Sequence, residues 1–108
     1  MGNDDAVLIL SALGQLTRLQ AFRLLVKAGP EGMIASDIAD ALGVPGNTMS
    51  SHFNILTRAD LITAQRVSRM IYYRVNVPRL TDLATFLVEG ACGGRSDLGE
   101  PFPTEICI

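Results

Sequence analysis

A chain of 108 residues, 48% of them hydrophobic and 19% charged, fits one domain. A domain of this size has a modest core, so part of this apolar material is expected in a homodimer interface. No apolar run approaches the ~18 residues of a membrane span, the opening Met1-Gly2-Asn3-Asp4-Asp5 is acidic where a secretory signal would be basic, and a cytoplasmic protein with no membrane partner is expected.

In chain order, residues 4–13 carry Val7, Leu8, Leu10 and Leu13 at helical spacing and stop at Gly14, with Asp4 and Asp5 suited to the positive end of the helix dipole. Leu16, Leu19, Phe22, Leu25 and Val26 continue a second helix to the stop Gly29-Pro30. Residues 33–42 read as a third, short helix with Ile38 and Leu42 inward, closed by Gly43. Pro45 is placed at the first position of a fourth helix reaching about Ala59, with Met49, Phe53 and Leu56 on its buried side. Residues 61–67 and 70–76 switch to β-branched and aromatic types around Ser68-Arg69, the pattern of a β-hairpin. Asn76-Val77-Pro78 breaks the strand, and residues 79–90 form a fifth helix with Leu80, Leu83, Leu87 and Val88 apolar. After Gly93-Gly94 the chain has no periodicity and reads as a loop or a segment ordered by a partner.

This order is that of a mainly α fold with a β-hairpin wing, a dimeric winged helix-turn-helix. Residues 1–92 form the domain with its terminal dimerisation helices, and residues 93–108 form a tail carrying Cys107. Ala39, Gly43 and Met49 supply the small crossing residue, the turn glycine and the apolar anchor of a helix-turn-helix.

The net charge of −2 conceals an uneven distribution. Residues 1–44 carry −2 and residues 81–108 carry −4, whereas residues 45–80 hold Arg58, Arg66, Arg69, Arg74 and Arg79 against Asp60 alone, a balance of +4. A basic centre between acidic ends favours phosphate contact there and suppresses it elsewhere. The fourth helix follows with Asn47, Thr48, Ser50, Ser51, His52, Asn54 and Arg58, and lacks the Glu and Lys of an ordinary solvated face. Short hydrogen-bonding side chains of this kind read base edges and phosphates. Arg66 and Arg69, at the hairpin tip, are placed to grip phosphates or enter the minor groove, while Tyr72 and Tyr73 read first as packing residues of the hairpin, with a phosphate contact by one hydroxyl as the alternative. His52, the single histidine, suits a DNA contact and is isolated as a metal ligand. The expected partner is double-stranded DNA. A winged helix used only for protein contact is the competing class.

These residues resemble the arsenical-resistance repressor (ArsR/SmtB) family over about residues 12–94. Ala12-Leu13-Gly14-Gln15-Leu16-Thr17-Arg18 is similar to its opening ALxxxTR stretch, Ile38–Val44 to its first helix-turn-helix helix, and Thr48–Leu56 to its TxSxHLxxL recognition helix. Ala59–Ile62 and Tyr72–Val75 match the entry and return of its wing. The resemblance implies a homodimer built from the first and last helices, bound as a repressor to an inverted repeat near its own promoter and released by a ligand.

The chain departs from the family where ligands are held. Gly32-Met33-Ile34-Ala35 stands where the founding sensors carry a cysteine pair, and Asp82 and Glu89 stand on the last helix with no histidine, which counts against a zinc site. Glu89–Gly94, with Cys92, resembles the Cys-Cys-Gly-Gly end of the last helix in a subgroup of arsenical sensors, but its first cysteine is Ala91 here. Cys107 is the candidate replacement thiol. Trivalent arsenic or antimony prefers soft thiolates and takes three ligands. Two cysteines would complete the shell of a species bringing one organic group, such as methylarsenite. No obligatory cofactor and no catalysis are expected. Other readings stay open: Cys92 as a small buried hydrophobe with Cys107 idle, or the pair as a thiol redox switch.

Overall fold

The computed structural model describes residues 1–89. Five helices and three strands follow one another as α1 (Asn3–Leu13), α2 (Leu16–Ala28), a 3-10 turn (Gly29–Glu31), β1 (Met33–Ile34), α3 (Ala35–Leu42), α4 (Gly46–Arg58), β2 (Ile62–Val67), β3 (Met70–Val75) and α5 (Val77–Val88). The strands make one antiparallel sheet in the order β1-β3-β2, with Ile62 opposite Val75 and Val67 opposite Met70 across the hairpin. The expected mainly helical fold with a β wing is the fold observed.

Three boundaries differ from the sequence expectation. Met33 and Ile34 are not helical: they pair with Tyr73 and Tyr72 and add a third strand to the wing. Gly32 makes this possible, since at φ 72 and ψ −167 it occupies a region open essentially to glycine. A Cβ there would collide with the Tyr73 carbonyl oxygen, so glycine also permits the close approach of β1 to β3. The fifth helix begins at Val77, two residues before the expected start, because Pro78 sits in its first turn, where a missing N–H costs nothing. Pro45 is the N-cap of α4 rather than its first helical residue. At φ −57 and ψ 144 it remains extended and hands the helix to Gly46.

One core joins the helices to the sheet. Ile9, Leu25, Ile38, Met49, Leu56, Leu61 and Ile62 are fully buried, one or two from each of α1, α2, α3, α4 and the entry to the wing. Burying a side chain of this size contributes about 1.5–3 kcal/mol, so the domain depends on all of these elements being present together. The apolar spacing of α1 also serves its outer face. Ala6, Ile9 and Ala12 turn inward, while Val7, Leu8 and Leu10 are exposed. Leu87 on α5 is exposed as well, and α5 packs beside α1.

Candidate nucleic-acid interface

Helices α3 and α4 are set by a sharp turn at Gly43. Its φ of 66 and ψ of 33 are left-handed, and its N–H and that of Val44 return to the Asp40 and Ala39 carbonyls at 3.2 and 3.0 Å. Ala39, only 5% exposed, lets the two helices approach, and Met49 seals the contact from α4. The turn thus presents the side of α4 opposite Met49, Phe53 and Leu56.

On that side Asn47, Ser51, Asn54 and Arg58 follow at helical spacing and are exposed, with Thr48 and Ser50 also exposed and His52 half-buried at the margin. The Ser50 hydroxyl donates to the Gly46 carbonyl at 3.0 Å, leaving its oxygen as an acceptor. The Asn47 side-chain Oδ1 accepts from the Thr48 N–H at 3.0 Å, leaving the side-chain NH2 to donate outward. No acidic residue lies in the first turn of α4. The face therefore offers donors and short amphiprotic groups beside the positive end of a helix dipole.

The five central arginines divide into two sets. Arg79 donates to the Ala59 carbonyl at 3.2 Å and lies 3.8 Å from the Asp5 carboxylate, so it ties α5 to α1 and to the end of α4. Arg74 donates to Gln65 Oε1 at 2.6 Å across the hairpin. Arg58, Arg66 and Arg69 are exposed and make no side-chain hydrogen bond or ion pair among the described residues. Arg66 lies on β2 opposite Ile71, and Arg69 lies in the hairpin turn beside Ser68, whose φ is 59. The charge left for an anionic partner is thus at the C-terminal end of α4 and at the wing tip.

The wing is fastened to α4 at its base. The Tyr73 and Phe53 rings stack with centroids 4.3 Å apart and planes 23° apart. Tyr73 is buried, and burial pushes its phenol above the ordinary value. Asn76 closes the base by donating from its side-chain amide to the Asp60 carbonyl and from its backbone to the Leu61 carbonyl, both at 2.9 Å. Tyr72, half-buried, faces β1 in register with Ile34. Both tyrosines belong to the packing of the sheet.

One contact escaped sequence reading. The Arg18 guanidinium on α2 donates to the Ala12 carbonyl at 2.6 Å and reaches His52 Nδ1 at 3.4 Å. The partners are 34 positions apart, and no local pattern marks them as a pair. Cys92 and Cys107 lie outside the described residues. Among the described residues, none of the helices is long and apolar enough to cross a membrane.

Comparison with known proteins agrees with this geometry. Residues 13–65 match the model of a family described as a helix-turn-helix domain. The chain is 32% identical over 90 residues to the transcriptional repressor SdpR of Bacillus subtilis (strain 168), a match covering 83% of this chain and 97% of that protein. Among solved structures, an ArsR-like transcriptional regulator from Rhodococcus sp. RHA1 superposes with a TM-score of 0.68 at 27% identity, covering 78% of this chain and 76% of that one. The homodimeric winged helix-turn-helix DNA-binding domain of Mb0332 from Mycobacterium bovis, described as a possible ArsR-family regulator, superposes with a TM-score of 0.66 at 27% identity, covering 79% and 77%.

Proposed function

Because the chain belongs to the ArsR family of winged helix-turn-helix transcriptional regulators, we propose that it is a homodimeric repressor that holds an inverted-repeat operator and is released by a thiophilic inducer. The observation that carries the DNA half is the α4 face, polar and free of carboxylates, with three arginines at its end and on the wing that have no partner among the described residues. Asn47, Thr48, Ser50, Ser51, His52, Asn54 and Arg58 enter the major groove. Arg66 and Arg69 contact the flanking backbone or the adjacent minor groove. The exposed Val7, Leu8 and Leu10 of α1, with Leu87 of α5, supply an apolar face for a second copy, which sets two recognition helices at two half-sites.

The inducer reading rests on the donor set. Cys92 and Cys107 are the two thiols of the chain. A pair of thiolates suits trivalent arsenic or antimony, above all a monosubstituted form such as methylarsenite that needs only two protein ligands. Binding would bias the dimer away from its DNA-holding arrangement. The test is DNA release measured in parallel against arsenite, antimonite, methylarsenite, zinc and peroxide. Release at the lowest concentration by methylarsenite, abolished in Cys92→Ser, is expected. Full response in Cys92→Ser contradicts the thiol site, and release by peroxide alone makes the switch a redox one.

A further inference from the structure

Arg18 occupies a junction. It stands in the first turn of α2, its Nε donates to the Ala12 carbonyl at 2.6 Å, and one terminal nitrogen lies 3.5 Å from the Ser11 carbonyl. Both carbonyls belong to the last turn of α1, at the negative end of its dipole; the Ser11 carbonyl also accepts from the Gly14 N–H at 3.2 Å, and both are natural acceptors for a cation. The other terminal nitrogen lies 3.4 Å from His52 Nδ1 on α4. One guanidinium thus spans three helices and ends on a residue of the candidate DNA-reading helix.

The chemistry of the pair restricts the histidine. A guanidinium has only donors and stays protonated, so the ring nitrogen facing it must accept. In a neutral imidazole the proton is then on Nε2. This tautomer follows from the hydrogen-bond network rather than from an observed hydrogen. We propose that Arg18 is a positioning residue that locks His52 as its Nε2–H tautomer, so that His52 offers DNA a donor and pairs with an acceptor: a purine N7 or O6, or a phosphate oxygen. Because the same guanidinium grips the end of α1, the lock also connects the apolar α1 face to the recognition helix. A shift of α1 in the dimer loosens the donor that α4 presents. The inference rests on the reading of α4 as the DNA-facing helix.

His52 is the single histidine of the chain, which makes the test clean. Nitrogen NMR of the free, full-length protein at a pH where the ring is neutral is expected to show an unprotonated Nδ1 and a protonated Nε2. In Arg18→Met the spectrum moves toward the tautomer mixture of a free imidazole, and Arg18→Lys, which keeps a donor, restores it in part. A wild-type ring protonated on Nδ1, or a spectrum indifferent to Arg18→Met, overturns the lock. DNA binding supplies the second arm as a double-mutant cycle. Arg18→Met and His52→Ala each weaken operator binding by roughly three- to tenfold, the worth of one hydrogen bond, and the double variant loses no more than His52→Ala alone. His52→Gln, which can accept from Arg18 and still donate, retains most of the affinity. Additive losses in folded, dimeric variants overturn the coupling. Losses confined to the operator and reproduced by 7-deazapurine substitution assign the acceptor to a base edge, and equal losses on random duplex assign it to a phosphate. A wild-type chain that binds no DNA overturns the DNA contact together with the functional reading, while the NMR arm still judges the Arg18 lock by itself.

Discussion

Gly43 sets the angle at which α4 leaves α3, and it does so through conformation alone. Its φ of 66 is left-handed, and a Cβ at that position would meet nothing within 4 Å. Gly43→Ala therefore costs the strain of a left-handed alanine, roughly 1–2 kcal/mol, with no steric term added. Gly43→Asn costs less, because a short polar side chain tolerates that region. Urea unfolding of the two variants checks this, and a loss well above that range in Gly43→Ala would mean that the turn is packed rather than open. The role of Gly43 was legible in the sequence because a glycine four residues after Ala39 closes an amphipathic helix. Gly32 was not legible as a strand entry, since the close approach of the Tyr73 backbone is a tertiary fact. The same holds for Arg18 and His52: each belongs to a recognisable local stretch, yet only folding brings them together.

At the scale of elements, the helices and the hairpin followed from periodicity punctuated by glycine and proline, and β1 did not. A two-residue strand has no period to read, and Met33-Ile34 continues the apolar pattern of the helix after it. The third strand matters for function because it braces the wing. Tyr73 is held by β1 on one edge, by β2 on the other and by the stack on Phe53, so the hairpin tip is carried on a fixed base. Division of the arginines by their contacts leaves Arg66 and Arg69 as the charges of that tip. Arg69→Ala is expected to weaken binding to operator and random duplex by the same factor and to reduce the salt dependence of binding by about one phosphate contact. A changed base preference instead would place Arg69 in a groove reading sequence rather than on the backbone.

The chain is acidic overall, its described residues expose arginines at the end of α4 and on the wing, and α1 exposes apolar side chains. Its net charge of −2 is unevenly spread along the sequence, with Arg58, Arg66 and Arg69 in a central stretch of residues 45–80 that carries +4. The exposed α1 face predicts how affinity is built. Leu8 is 47% exposed, so Leu8→Glu leaves the fold intact but places a charge in the proposed dimer interface. Sedimentation should then show a monomer. Operator affinity should fall on the order of a hundredfold or more, since a single half-site loses the gain of linked binding. A Leu8→Glu protein that stays dimeric would move the interface elsewhere. Whether α4 and the wing form a sequence-reading DNA surface is decided by fluorescence anisotropy of the full chain on a duplex from the region upstream of its own gene and on a random duplex of equal length, over a range of salt. Binding to the upstream duplex is expected to be tight, binding to the random one at least a thousandfold weaker, and affinity for both should fall steeply with salt. Equal, weak binding to the two duplexes, or none, would contradict such a surface.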